Sequence, residues 1–524
     1  MNRREFIKRS VPVTAIPFLI NGLPIRAYGR SPFLQTLIGA QSATDRVLVL
    51  VQLGGGNDGI NTVIPLDQLS AYNNLRGNIA IPEASALQLT SATGLHPTMT
   101  GVKNLYDAGK LAVVQGVGYP NPNLSHFRAT DIWLTASDSN VELNTGWLGR
   151  YLDYEFPLYP DDPVMPDPLA IQISSIASLS LQGPERSMGI AIQSPDTFYQ
   201  LVTAGTGTVV DTPPSTPAGK ELDYIRTISV QSQAYALQIK AAADKVLTQV
   251  TYPTNNSLAD QLKIVARMIA GGLKTRIYVV NLGGFDNHSA QVVSGSTATG
   301  VHATLLQRLS GALKAFQDDL QQLNIEQRVL GMTFSEFGRR VQSNASLGTD
   351  HGTAAPMFLF GVPVQAGIVG VNPSLTQLSN GNLTMQYDFR SVYASILSQW
   401  FGVSTLELNA VMFKNFQSLP LIRSSYTTDV SESNDLPTAY RLYSNYPNPF
   451  NPSTTIAYDL PIDASVALKV YDMMGREVKT MVNDYQPAGH HQVQFNANGL
   501  ASGAYVYQLQ AGSYTDRKRM LLVK

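Results

Sequence analysis

Apolar residues in this chain gather in short unbroken runs, and several runs end abruptly in glycine or in side chains able to hold a metal. RVLVLVQL leads into Gly54-Gly55-Gly56-Asn57-Asp58-Gly59, and LAVVQGVGY precedes Ser125-His126. RIYVVNL precedes Asp286-Asn287-His288, and VLGMTF runs into Ser335-Glu336. A further cluster, Asp350-His351-Gly352, follows shortly after. Most of these runs do not alternate, as expected of strands covered on both faces. They predict strands at 46–53, 111–118, 169–174, 276–282, 328–334 and 356–360. Helical periodicity predicts helices at 99–109, 126–136, 222–249, 258–273, 301–323 and 388–402. The alternation of the two patterns over residues 45–423 predicts an α/β domain built on a βαβ sheet. In such sheets ligands bind beyond the carboxyl ends of the strands, where the polar clusters fall.

The pattern changes elsewhere. Residues 204–220 and 286–300 are rich in Gly, Ser and Thr and predict loops, the second beside the clusters. Residues 424–439, SSYTTDVSESNDLPTA, are polar, without helical period, and read as a linker. Beyond it, 440–524 carry short alternating runs (TTIAYDL, VALKVYD, HQVQFNA, AYVYQLQ) separated by turn signals, the pattern of a small all-β sandwich. At the other end, Arg3-Arg4-Glu-Phe6-Ile7-Lys8 precedes the mostly apolar VPVTAIPFLINGLPI. A basic segment before a short apolar one reads as an export leader over residues 1–30, and the paired arginines resemble a twin-arginine signal. No later segment approaches ~20 consecutive apolar residues, so no membrane span is expected in the mature protein.

Composition narrows the chemistry. A net charge of −1 over 524 residues gives no reason to expect nucleic acid or an anionic membrane surface as partner. The absence of cysteine rules out disulfides, a thiolate nucleophile and a cysteine-based zinc or iron–sulfur site. Any metal must be held by carboxylates, imidazoles and hydroxyls, which favours Zn, Ca, Mg or Mn.

Asp58 is a candidate ligand in a glycine-rich turn, where the alternative is an Asx-turn or helix cap. Ser125 opens a helix, where free N–H groups suit a phosphate or sulfate and a neighbouring metal can activate the hydroxyl. A plain N-cap is the other reading. Asp286 and His288 offer a hard oxygen and an imidazole to one cation. Glu336 and the Asp350-His351 turn are further ligand candidates, although Arg339 or Arg340 can instead pair with Glu336. His126, Arg128 and Arg339 are candidates for binding an anionic substrate. His96 and His302 lack such context and are expected in core or surface roles.

Two resemblances follow from these residues. Tyr446-Pro-Asn-Pro-Phe-Asn-Pro-Ser-Thr-Thr-Ile456, Val-Tyr-Asp-Met-Met-Gly475-Arg and Leu-Ala-Ser-Gly503-Ala-Tyr closely resemble type A sorting domains carried by cargo of the type IX secretion system. That resemblance implies the secretion machinery as partner. It also implies delivery via the periplasm of a Bacteroidota-type bacterium to the cell surface or medium. The order Asp58, Ser125, Asp286-x-His288, Glu336, His351 resembles the metal-site order of the alkaline phosphatase/sulfatase superfamily. Gly-Gly-Asn57-Asp58-Gly59, Ser125-His126-Phe, Gly-Gly-Phe-Asp286-Asn-His288, Ser-Glu336-Phe-Gly-Arg and Asp350-His351-Gly are closer still to a secreted bacterial family in it, domain of unknown function 1501. The resemblance implies a three-layer α/β/α domain with a mostly parallel sheet. It further implies that Asp58, Asp286, His288, Glu336, Asp350 and His351 hold a divalent metal, with Ser125 as the nucleophile toward phosphate or sulfate esters. The chain departs at Glu336-Phe337, where the superfamily usually has Asp-His. The alternative expectation is therefore a non-catalytic surface protein on the same scaffold.

Overall fold

The computed structural model describes residues 18–20, 23–25, 45–156, 159, 165, 167–204, 232, 234–427, 437, 439–443, 445, 448 and 450–523. The Arg3-Arg4 leader, the start of the helix expected at 222–249 and the 205–220 loop lie outside these residues, as does most of the 424–439 linker. Met1–Thr44 form a unit of their own, in which Phe18–Ile20 pairs antiparallel with Leu23–Ile25.

Nine strands build the central sheet: β1 (Val47–Gly54), β2 (Leu111–Gly118), β3 (Ala170–Ile173), β4 (Ile190–Ile192), β5 (Ile277–Gly283), β6 (Val329–Phe334), β7 (Ala355–Phe360), β8 (Gly367–Val369) and β9 (Tyr387–Asp388). Their order is β8-β2-β7-β6-β1-β5-β3-β4, with β9 also paired to β2. Every pairing is parallel except the two made by β7, which runs against both β6 and β2. The six expected strands are all present, within a residue or so of their expected ends. The apolar runs lack alternation because both faces are covered: Val47 to Val51 are each at most 1% exposed. The run 355–360 looks like its neighbours for the same reason, and nothing in it marks its reversed direction.

Helices α1 (Gly59–Thr62), α2 (Leu69–Arg76), α3 (Thr100–Asp107), α4 (His126–Thr135), α5 (Trp147–Glu155), α6 (Pro195–Ala204), α7 (Ser257–Ala270), α8 (Val301–Gln322), α9 (Phe389–Ser395) and α10 (Thr405–Met412) connect and cover the strands. α7 and α8 pack together, and α8 packs on α3, which lies on β2. Asn256 caps α7 by accepting the Ala259 N–H. The helix expected at 388–402 is α9 continued by one π-helical turn, Ile396–Trp400. Among the described residues, no helix is long and apolar enough to cross a membrane.

Register decides what happens at the sheet's carboxyl edge. Gly283 of β5 lies beside Gly54 of β1, and Phe334 of β6 beside Gln52. The three strands therefore stop nearly level, and the residues after each share one rim.

The C-terminal part is all-β. β10 (Arg441–Leu442), β11 (Ser453–Leu460) and β14 (Gly489–Asn496) form one antiparallel sheet. β12 (Ala464–Asp472), β13 (Glu477–Gln486), β15 (Gly503–Ala511) and β16 (Tyr514–Leu522) form the other, in the order β13-β12-β15-β16. Alternate residues such as Val466, Leu468 and Val470 of β12 point into a separate core with Ile456, Tyr458, Phe495 and Leu509.

Candidate metal centre

Close backbone approach brings the strand ends together. Gly55 has φ +120°, and a Cβ there would lie 2.4 Å from the Asp286 nitrogen. Gly56 has φ +75°, and a Cβ there would lie 2.3 Å from the Phe337 ring. Only glycine satisfies both demands at once. The Phe285 N–H bonds the Gly54 carbonyl at 3.1 Å and aligns the β5 extension with the turn after β1. His126 is the first residue of α4, and an isolated antiparallel bridge between Arg339 and His351 brings the late loop onto the same rim.

Three imidazoles converge on one carboxylate oxygen. Asp286 Oδ1 lies 3.0 Å from His288 Nε2, 3.3 Å from His351 Nε2 and 3.4 Å from His126 Nε2. His288 Nε2 and His351 Nε2 are 2.9 Å apart. The opposite ring nitrogens face outward to acceptors. His126 Nδ1 is 2.8 Å from Glu336 Oε1, His351 Nδ1 is 2.7 Å from the Leu124 carbonyl, and His288 Nδ1 is 3.4 Å from Asp350 Oδ1. Carbonyls and carboxylates only accept, so His126 and His351 carry their hydrogens on Nδ1 and turn their Nε2 lone pairs inward. His126 Nε2 is buried with no hydrogen-bond partner, and the group it faces is another acceptor. A cation resolves that opposition. Imidazole nitrogens with a carboxylate oxygen are a zinc-type donor set, with outer groups fixing the rings. Ligand atoms of His126, Asp286 and His351 lie within 4.8 Å of one another, and His288 adjoins Asp286 and His351. Calcium and magnesium favour oxygen-only surroundings. The residues present thus fit a metal of the zinc kind.

Arg339 is the hub beneath this cluster. It is 1% exposed and donates to the carbonyls of Gly56 at 2.7 Å, Thr349 at 2.9 Å and Phe285 at 3.1 Å, to that of Gly55, and to Asp286 Oδ1 at 2.7 Å. Burial works against ionisation of Asp286, but the Arg339 hydrogen bond and the positive charge beside it outweigh that, lowering its pKa to about 2. Phe337 is fully buried, with its ring 4.8 Å from that of His126 and 4.5 Å from that of His351. At the position where an imidazole was expected, the chain has an apolar floor under two others.

The remaining candidates occupy different places. Glu336 is buried behind His126, and its Oε1 also accepts the Gly55 N–H at 2.8 Å. Asp350 is exposed at the outer edge of His288. Asp58 lies in a buried network. Its Oδ1 takes the Arg76 guanidinium at 2.8 Å and caps α1 through Asn61, and its Oδ2 takes Gln291 at 2.6 Å. Both oxygens are thus committed to holding the turn. Ser125 is the N-cap residue of α4 in extended conformation, exposed, and its hydroxyl caps no N–H. Arg128 donates to the carbonyls of Asp138, Ser139 and Val141 and so anchors the chain after α4. His96 and His302 are both buried away from solvent, the latter 3.0 Å from Asn57 Oδ1. Ser335, singled out only as a strand end, ties β6 to β1 by donating to the Leu53 carbonyl at 2.7 Å and accepting the Asn57 N–H at 3.0 Å.

Solved structures with some similarity include the PsFucS1 sulfatase from a Pseudoalteromonas species (10% identity, TM-score 0.33, covering 90% of this chain and 88% of that one). An alkaline phosphatase from the Antarctic bacterium TAB5 matches at 9% identity and TM-score 0.28, covering 62% of this chain and 94% of that one. Dimeric latent PorU from Porphyromonas gingivalis matches at 22% identity and TM-score 0.14 over 15% of this chain; the chain covers only 9% of PorU. No curated protein matches. Residues 444–524 match the family described as "Secretion system C-terminal sorting domain". Residues 45–407, the whole region that carries the cluster, match the family described as "Protein of unknown function (DUF1501)", and the chain belongs to that family.

Proposed function

We propose that the chain is an exported, zinc-dependent hydrolase of phosphate or sulfate esters with Ser125 as its nucleophile. The observation that carries this reading is the inward turn of the His126 and His351 Nε2 atoms onto Asp286, with His288 completing the set. His126, Asp286, His288 and His351 would hold the cation, with Glu336 and the Leu124 carbonyl orienting the rings. When bound, the cation supplies charge neutralisation at the ester oxygens.

The chain's own groups do the rest. The Ser125 hydroxyl is exposed, one residue from His126, and no capping bond has to break before it attacks. The first-turn N–H groups of α4 can donate to anionic oxygens. Attack forms the serine–phosphorus or serine–sulfur bond and breaks the bond to the alcohol, which leaves with a proton. Water then cleaves the serine ester and restores the hydroxyl. The sorting-domain match supports release to the cell surface or medium by type IX machinery.

The test is metal analysis of the purified protein, then assay of the zinc-loaded form on phosphomonoester, phosphodiester and sulfate-ester substrates. Turnover of at least one class, abolished in Ser125→Ala at unchanged zinc content, is expected. A zinc-loaded protein that turns over none of them is instead a binding protein. Full activity in Ser125→Ala removes the serine from the mechanism.

A further inference from the structure

The arginine that touches the cluster is fully occupied. All three side-chain nitrogens of Arg339 are bonded inside the protein, to four carbonyls and Asp286, and the side chain is 1% exposed. The neighbouring arginines do not take its place. Arg128 stands two residues after His126 on α4, a spacing at which side chains do not share a face, and its Nη2 is committed to three carbonyls. Arg340 follows Arg339 where the backbone bridges to His351, so its side chain leaves on the opposite side. Its Nη1 lies 3.7 Å from where a Cβ on Gly381 would be. Arg76 is committed to Asp58.

Carboxylates dominate what remains. Asp286 contacts all three of the cluster's imidazoles, Glu336 contacts His126 and Asp350 contacts His288; against the guanidinium of Arg339 these three carboxylates leave a formal balance of −2. One divalent cation brings that balance to zero. Among the described residues no free guanidinium fork faces the cluster, so the usual partner for a second phosphoryl charge is lacking there.

We infer that the site selects singly charged tetrahedral esters, phosphodiesters or sulfate monoesters, over phosphomonoesters. The latter are largely dianionic at neutral pH because their second pKa is about 6. This inference rests on the hydrolase reading above. It is a statement about charge, so substrates sharing one leaving group isolate it.

The experiment measures kcat/KM of the zinc-loaded full chain at pH 8 on p-nitrophenyl phosphate, p-nitrophenyl methyl phosphate and p-nitrophenyl sulfate. At least one of the two monoanions is expected to exceed the dianion by about tenfold or more. Asp350→Asn, which removes one negative charge from the rim, is expected to narrow that gap several-fold. A second readout needs no turnover: calorimetric titration with dimethyl phosphate and with methyl phosphate, where the monoanion is expected to bind at least as tightly. Preference for p-nitrophenyl phosphate in turnover, or clearly tighter binding of methyl phosphate, overturns the inference while leaving the hydrolase reading intact. Absence of turnover on all three removes both.

Discussion

Glu336 accepts the Nδ1 hydrogen of His126 at 2.8 Å, and the same oxygen holds the Gly55 N–H at 2.8 Å. One carboxylate therefore fixes which imidazole nitrogen faces the cluster and how the first turn is closed. Glu336→Ala is expected to weaken zinc binding by about 10–100-fold, the usual loss for an outer partner of a ligating histidine. Glu336→Gln keeps an acceptor for both donors and is expected to fall between Ala and wild type. Competition against a chromophoric chelator measures this, and wild-type affinity in both variants would separate Glu336 from the ring orientation.

Zinc removal should destabilise the α/β domain, because the four groups round the cluster come from three separate segments, the start of α4 and the stretches holding Asp286-His288 and His351. A ligand bound only by the folded state stabilises it by about 2.7 kcal/mol at a hundredfold excess over Kd. Thermal unfolding with and without chelator should thus differ by several degrees, with recovery on adding zinc back. In His351→Ala the two curves are expected to coincide. A chelator effect of equal size in that variant would place the responsible metal elsewhere.

The buried histidines predict how stability responds to acid. Burial lowers the pKa of His302 from 6.5 to about 4, and that of His96 to about 3. Both are neutral in the folded state at neutral pH, whereas the unfolded chain protonates them below 6.5. The unfolded state therefore binds more protons between the two values. The stability is present in full above about pH 6.5 and is lost as pH falls toward 4, by up to about 1.4 kcal/mol per unit for each ring. Urea unfolding of the metal-free protein at pH 7, 6 and 5 should show the decline, and His302→Gln should flatten it. An unchanged slope in that variant would exclude His302 as its source.

Strand positions were legible because burial on both faces leaves an unbroken apolar run, as in Val47–Val51. The grouping of Asp286, His288 and His351 was legible through order along the chain, since each follows or neighbours a strand end. Other features depend on contacts with no local trace. Arg76, eighteen residues after Asp58 in the chain, bonds its carboxylate in the core. Glu336 and His126 look like two independent candidates in sequence, and only folding places one behind the other. Arg339 reads as a possible anion binder until the four carbonyls it holds are known. The direction of β7 is set by its partners, and its own residues are silent on it.

Phe337 and Gly56 form a pair whose coupling can be measured. A Cβ on Gly56 would sit 2.3 Å from one Phe337 ring carbon and 2.6 Å from another, and φ is +75°. Two separate penalties therefore meet in Gly56→Ala. The left-handed backbone costs about 1–2 kcal/mol in any context. The steric clash adds about 1–3 kcal/mol, because the buried ring rests on His126 and His351 and has little room to retreat. Trimming the ring removes only the second penalty. Phe337→Ala alone should cost about 3–5 kcal/mol as a cavity opens under the two imidazoles. In the double variant, Gly56→Ala should add no more than its backbone term. Equilibrium unfolding of the four proteins in chelator gives the cycle, with an expected coupling of about 1–3 kcal/mol. Additive costs would mean that the ring moves aside freely, and that Phe337 does not brace the two histidines.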